Sequence, residues 1–425
     1  MKWKNSYTAM AVICSVWFLC HIDRMVMAVT IPFIATEFGL KPVEMGGVMS
    51  AFFLGYFIMQ IPGGFLADKY GPRKVLAGAV LWWSAFTAVT GAVSNLSQML
   101  VARVIFGVGE GAAPAATWKA NANWLPLSQR GIGSGLMMAG TVLAPAVTPW
   151  FIATLITTYG WRSVYYLLFI PGALLVAWIW WKLPDNPADK PGISKEELDE
   201  LVEKESDLGT SITSGGNVTF WEIIKEQTVY KSFFILLFSN MVTYGFVSWL
   251  PSYLKLSRGL TTAQLGWIAS IPFVAGAAGF LLAGWIGDGP MKHNRKLPLV
   301  ISQWTSCATL YMTYSAQSLD QLIIWQTLTG FFIFFATGAL YNLPVSSIPR
   351  EITGRAMGFV NMAGQIAGFL SPLIAGFLIQ SSKGGANYDA AFQYFIIAML
   401  CSSLVALTFK QRKPDFAAGK STKSA

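Results

Sequence analysis

The sequence predicts an all-α polytopic membrane protein, with twelve transmembrane helices in two six-helix bundles. Composition is the first ground: 54 % of the 425 residues are hydrophobic and only 12 % charged, with a mean hydropathy of +0.50. Soluble domains carry roughly 25 % charged residues. Pattern is the second, because the apolar residues fall in runs of about 20 or more, the length that crosses a bilayer. Glycine is the third: the chain has 40, and small residues let transmembrane helices approach closely. Formal net charge is +9, yet the basic residues sit at segment ends. That distribution fits a membrane topology and excludes a nucleic-acid partner.

Twelve apolar segments are expected, at about residues 7–33, 45–67, 75–95, 98–123, 131–159, 162–183, 231–254, 263–287, 297–316, 321–346, 355–381 and 388–409. The first lies in MKWKNSYTAMAVICSVWFLCHIDR, which lacks a small-residue cleavage site and is read as a retained span, not a signal peptide. A polar stretch between the sixth and seventh spans is rich in Pro, Gly, Ser and acidic residues. Within it, Ser194 followed by Glu197 is a capping-box pattern that opens a short amphipathic helix, Ser194 to about Ser206. The expected domains are residues 1–183, a cytoplasmic linker at 184–230, and 231–425 with a short tail. Cys14, Cys20, Cys307 and Cys401 lie in apolar segments without paired spacing, as small buried hydrophobes do. No metal or cofactor is expected.

Orientation follows from Lys and Arg. The termini and the loops after even-numbered spans carry Lys2, Lys4, Lys69, Arg73, Lys74, Arg130, Lys292, Arg295, Lys296, Arg350, Arg355, Lys410, Arg412 and Lys413. The opposite loops carry only Lys41, Arg162, Lys255, Arg258 and Lys383. Both termini and the linker are therefore expected in the cytoplasm. The halves also echo one another: GFLADKYGPRK at 64–74 corresponds to GWIGDGPMKHNRK at 284–296, and Arg130 to Arg355. Duplication on this scale implies two bundles with a binding site near the midplane.

The charges inside spans carry the chemistry, because a charge near the bilayer centre costs at least ~2.5–3.5 kcal/mol. The fourth span, QMLVARVIFGVGEGAAPAATWKANAN, holds Arg103, Glu110 and Lys119. Arg103 and Glu110 are two helical turns apart and project from nearly the same face. The first span holds His21, Asp23 and Arg24. Neighbouring residues point about 100° apart on a helix, so Asp23 is expected to meet Arg103 and leave Arg24 facing a cavity. The alternative is that both first-span charges snorkel outward. His21 reads as a proton-site tuner or as a hydrogen-bonded packing residue. Glu110, between Gly109 and Gly111, suits loading and release of a proton; a permanent structural pairing with an arginine is the competing reading.

The loop Gly64-Phe-Leu-Ala-Asp68-Lys-Tyr-Gly71-Pro-Arg73 resembles the signature of the major facilitator superfamily, G-x-L-A-D-R-x-G-R-R, with Pro72 a departure. That resemblance implies gating roles for Asp68 and Arg73. The chain is more particularly similar to the anion:cation symporter family, which includes sugar-acid permeases and the sialin and vesicular glutamate relatives. Its first-span D-R is Asp23-Arg24, and its R-x-x-x-G-x-x-E is Arg103, Gly107 and Glu110. Its W-x-P-x-Y-L is Trp249, Pro251, Tyr253 and Leu254. Departures are Gln129 for the exit acid before Arg130, Pro114 for an earlier proline, and Thr141 where a galactonate-type permease has glutamine.

The family implies protonatable Asp23 and Glu110, Arg24 as the ligand of the substrate carboxylate, and Tyr56 as a hydroxyl donor. It places Tyr341, Asn342, Asn361 and Gln365 at cavity-facing positions. Asn361 and Gln365 share a helix face and offer neutral polar groups, suited to hydroxyls or to gluing helices together; Tyr341 alone also reads as interface packing. Arg103, Lys119 and Arg130 are expected to join Asp68 and Arg73 as gate residues. The reading is a monomeric secondary transporter in a bacterial cytoplasmic membrane that imports a small organic anion with protons. The runner-up is proton-driven efflux of organic compounds, weakly echoed by Gly140 to Pro149, and a transporter-like sensor is third. No Walker loop, nucleophile or metal cluster supports an enzyme.

Overall fold

The computed structural model describes residues 4–206, 220–291, 294–347, 353–381 and 386–409. Side chains of 341–347 and 353–355 lie outside the described set, so the expectations for Tyr341 and Asn342 do too. The regular elements among the described residues are all helices, and the chain is an all-α membrane protein. Its elements are α1 (Asn5–Phe38), α2 (Pro42–Tyr70), α3 (Pro72–Ala92), α4 (Leu96–Gly111), α5 (Ala113–Trp124), α6 (Leu127–Lys182), α7 (Lys195–Ser206), α8 (Phe220–Lys225), α9 (Gln227–Ser252), α10 (Thr262–Asp288), α11 (Lys296–Ser315), α12 (Leu319–Ser347), α13 (Thr353–Ser381) and α14 (Asp389–Leu407).

Local chemistry sets the boundaries. Gly39 closes α1 in a left-handed conformation at φ 67°, which costs a residue without Cβ nothing. Pro42 and Pro72 stand at the first positions of α2 and α3, where a missing N–H is harmless. Asn95 caps α4 by accepting from the Gln98 amide at 2.9 Å. Helices α4 and α5 together make one 29-residue span, Leu96–Trp124.

Among the described residues, ten helices are long and apolar enough to cross a membrane. Two features bring this to the twelve spans expected. Helix α6 is 56 residues long and breaks at Gly160, whose φ of 78° and ψ of 167° no helix accommodates, so it contains two spans. Helix α11 has the length of a span but a polar buried face of Ser302, Gln303, Ser306, Thr309 and Thr313. Most of that face finds partners: Gln303 donates to Ser239 at 3.0 Å and Ser402 at 2.8 Å, and Thr313 pairs with Thr329 at 3.0 Å, while Gln303 Oε1 is a buried oxygen without a partner among the described residues. Satisfied hydroxyls and amides are tolerated where lipid does not reach.

By contact the chain forms two compact units. One comprises Met1–Gly209 with Val247–Val274 and Pro372–Tyr388; the other comprises Thr210–Phe246, Ala275–Ser371 and Asp389–Ala425. Inside the first, the two short segments are joined tightly to each other and to α2. Trp249 donates its indole N–H to the Pro372 carbonyl at 3.0 Å, and the Val43 amide donates to Gln380 at 3.2 Å. The second has its own core, in which Phe233 stacks on Phe359 among Val229, Leu236, Ala336 and Val360.

The linker helix α7 also belongs to the first unit. Its capping box is half formed: the Glu197 amide donates to Ser194 Oγ at 3.1 Å. The Glu197 carboxylate does not turn back on its own helix. It accepts from the Ser6 amide at 2.9 Å and from Asn5 at 3.1 Å, which caps α1 from outside. The α1 N-cap, Lys4, supplies no side-chain cap of its own and pairs instead with Glu200, which raises its amine above the usual value.

Candidate functional site

The site begins with the approach of α2 to α4. A Cβ on Gly107 would collide with the Phe52 carbonyl and lie 2.9 Å from the Tyr56 amide; one on Gly111 would lie 2.5 Å from the Tyr56 carbonyl. Only glycine lets the backbones come this near. The approach sets the intramembrane charges of α4 beside the aromatic residues of α2. The Arg103 guanidinium lies 5.6 Å from the Phe52 ring centre and 4.5 Å from that of Phe106.

Arg24 of α1 enters the same neighbourhood. Its Nε donates to Glu110 Oε2 at 2.9 Å, and its guanidinium lies 4.8 Å from the Tyr56 ring centre and 5.0 Å from that of Phe52. The Glu110 side chain is fully buried, and that of Arg24 is 21 % exposed. A buried carboxylate needs such a partner, because unpaired charge in a low dielectric is costly. Tyr56 is buried beneath the arginine.

This pairing corrects the expected arrangement. Asp23 and Arg103 are each 3 % exposed, but they form no ion pair with one another among the described residues. Arg24, expected to be left free to face a cavity, does line a cleft but also holds Glu110. Adjacent residues on α1 diverge by about 100°, and the rotation of α1 against α4 selects Arg24 as the one that meets Glu110. Among the described residues, Asp23 Oδ1, Arg103 Nε and Glu110 Oε1 are buried atoms without a hydrogen-bond partner. His21 is a packing residue here, stacked on Trp17 at 5.5 Å with Nδ1 2.8 Å from the Trp17 carbonyl.

Apart from Arg103, the expected gate residues take three places in the first unit. Lys119 of α5 pairs with Asp68 of α2 at 2.8 Å and donates to the Ala67 carbonyl at 3.1 Å. Arg73 stands at the start of α3 against the end of α6. Its amide donates to Asp185 at 2.7 Å, its guanidinium lies 4.5 Å from the Trp180 ring centre, and it donates to the Trp180 carbonyl. Burial, with the nearby Lys182 and Arg73 charges, lowers the Lys190 amine from its ordinary value. Arg130 donates to the Leu125 carbonyl at 3.1 Å and the Ala122 carbonyl at 2.8 Å, closing the end of α5. In the second unit, α13 carries Asn361 exposed and Gln365 half-buried.

Sequence reasoning passed over the surroundings of Arg24. A cleft of about 220 Å³, counting space open to solvent, is lined by Val16, Trp17, Cys20, Arg24, Ala113, Pro114 and Thr117. Trp17, Cys20 and Arg24 are spaced three and four apart, so they share one helix face. That spacing was the available signal.

Comparison with known proteins agrees with this architecture. The sequence pattern of the Major Facilitator Superfamily matches residues 13–288 and 254–425. The chain is 30 % identical over 404 residues to the probable sulfoacetate transporter of Cupriavidus necator, covering 92 % of this chain and 90 % of that protein. It is 29 % identical over 423 residues to the probable galactarate/D-glucarate transporter of Escherichia coli K12, covering 94 % and 93 %. Among solved structures, a bacterial homolog of the human lysosomal transporter Spinster superposes with a TM-score of 0.81 at 16 % identity, covering 97 % of this chain and 100 % of that one. A D-xylose-proton symporter superposes with a TM-score of 0.76 at 17 % identity, covering 96 % and 98 %. At such identities these two speak to the fold alone. With motif, fold and near full-length relatives in agreement, the chain belongs to the Major Facilitator Superfamily, a family of membrane transporters and not of enzymes.

Proposed function

We propose that the protein is a secondary transporter that imports a small organic anion, a sugar acid or another carboxylate or sulfonate, together with protons. The observation that carries this reading is the Arg24–Glu110 pair. A guanidinium is the side chain best shaped to hold a carboxylate or sulfonate by two hydrogen bonds. Here it is already engaged by an internal carboxylate. When Glu110 takes a proton it no longer competes for Arg24, and an incoming anion replaces it. When the anion leaves, Glu110 ionises and reclaims the arginine. Proton and anion therefore favour each other, and by linkage the effect is reciprocal. The relatives named for sulfoacetate and galactarate/D-glucarate support an anionic cargo.

Asp23 is proposed as a second protonatable group, buried beside this pair, and Tyr56 as part of the binding surface. Asp68–Lys119, Arg73, Arg103 and Arg130 are proposed to stabilise individual states of alternating access. Proton and anion would then bias the same rearrangement. The basic loops place both termini in the cytoplasm of a bacterial cell, on this reading. The test is uptake of labelled organic anions by proteoliposomes under an imposed pH gradient. Accumulation against a concentration gradient with an acidic exterior is expected. Accumulation only with an alkaline exterior contradicts symport.

A further inference from the structure

One residue lining the cleft beside Arg24, Trp17, carries an unused donor. Trp17 Nε1 is a buried atom with no hydrogen-bond partner among the described residues. Leaving such a donor unmatched is costly, so a persistent one calls for an acceptor from elsewhere. Nothing else in the cleft lining offers the same. Thr117 spends its hydroxyl on the Ala113 and Pro114 carbonyls at 3.0 and 2.8 Å, and Arg24 is engaged with Glu110. The remaining lining is apolar or thiol.

The position of Trp17 is also defined. It lies seven residues before Arg24 on the same face of α1, about 10 Å along the helix axis. Its ring packs against two others, His21 stacked at 5.5 Å and Trp118 edge-on at 6.5 Å. A ring packed against two others presents its N–H at a set place, which is what a specificity contact requires.

We infer that Trp17 is a specificity-determining residue of the anion site: Arg24 takes the anionic head of the substrate, and the Trp17 indole N–H takes a second acceptor oxygen further along the same molecule. This rests on the anion-transport reading above. A carboxylate with a plain alkyl tail leaves the donor unmatched; one with a hydroxyl or a second acid group satisfies it.

The experiment measures binding of D-gluconate, galactarate and hexanoate to the purified full chain by titration calorimetry, in wild type and Trp17→Phe. The phenyl ring keeps the stacking surface and removes the N–H. In wild type, at least one oxygen-bearing acid should bind about tenfold or more tightly than hexanoate. Trp17→Phe should erase most of that preference and leave hexanoate unchanged, and Trp17→His, which restores a ring N–H, should recover part of it. An unchanged preference in Trp17→Phe, or equal losses for all three acids, overturns the inference. So does a wild type that favours hexanoate. If Trp17→Phe does not fold, indole ¹⁵N spectra of the wild type decide. The Trp17 N–H resonance should move with the oxygen-bearing acid and stay in place with hexanoate; no difference overturns the assignment. Should no acid bind at all, or Arg24→Lys leave every affinity intact, the fault lies with the anion-site reading itself.

Discussion

Arg24 Nε stands 2.9 Å from Glu110 Oε2, joining the first span to the fourth inside one unit. The contact makes the arginine a shared resource, held by the protein's own carboxylate until something displaces it. Stability and binding should both report on it.

Replacing Arg24 with Leu strands a carboxylate that is fully buried. Breaking a buried pair from one side typically costs about 3–5 kcal/mol, whereas replacing both members by apolar groups is often neutral. Thermal unfolding in detergent should show a large loss for Arg24→Leu and substantial recovery for Arg24→Leu with Glu110→Leu. Equal losses in the single and double variants would mean that the pair does not set the stability of this region.

Arg24→Lys keeps the charge and loses the planar fork. Anion affinity should fall by about tenfold or more, because an ammonium cannot reproduce two-point contact with a carboxylate. Ligand-induced thermal shifts across a carboxylate panel measure this directly. An unchanged affinity moves the anion head elsewhere.

Gly107 permits the approach of α2 to α4 on which the site depends. Gly107→Ala forces a Cβ into the Phe52 carbonyl, and overpacking of this kind costs about 1–3 kcal/mol. Gly78→Ala, where a Cβ meets nothing within 4 Å, is the control and should leave the melting temperature unchanged or raised. Similar melting temperatures for the two variants would contradict the packing argument.

The first-span charges show how far sequence reasoning reaches. Periodicity and cost arguments identified Asp23, Arg24, Arg103 and Glu110 as special, and all four lie in one unit. They could not say which of two neighbours on α1 meets α4, because that depends on the rotation of α1 about its axis, which is set by its packing against other helices and not by its own sequence pattern. The spans were legible for a similar reason: apolar length survives in one dimension. The segment at 297–316 was legible as a span but not as the carrier of a polar network, since Ser239 and Ser402 are far from Gln303 in the chain. Likewise Ser194 and Glu197 revealed a helix start, but not that Glu197 caps α1.

Asp68 and Lys119 give a contrasting ion pair. The Asp68 side chain is 79 % exposed and that of Lys119 33 %, so their 2.8 Å contact should contribute no more than about 1 kcal/mol to stability. Asp68→Asn should leave the melting temperature nearly unchanged while lowering the maximal transport rate, if the pair acts on one state of the cycle. Exchanging the two charges, Asp68→Lys with Lys119→Asp, should restore part of the rate. A normal rate in Asp68→Asn removes the gating role.

The capping of α1 by the linker helix is open to a local measurement. Glu197→Ala removes the acceptor for the Ser6 amide, and loss of a cap costs about 1 kcal/mol. Hydrogen exchange at the first turn of α1 should quicken, with little change deeper in the span. Exchange that stays at the wild-type rate would show that the cap is not what orders this turn.

The central claim is that a proton on Glu110 releases Arg24 to the anion, and Glu110→Gln tests it most directly. A neutral amide should leave the arginine available at every pH. Anion exchange across proteoliposomes at equal pH on both sides should therefore persist in this variant, while accumulation driven by a pH gradient is lost. Accumulation that survives intact would show that Glu110 is not the coupling acid and would contradict the account.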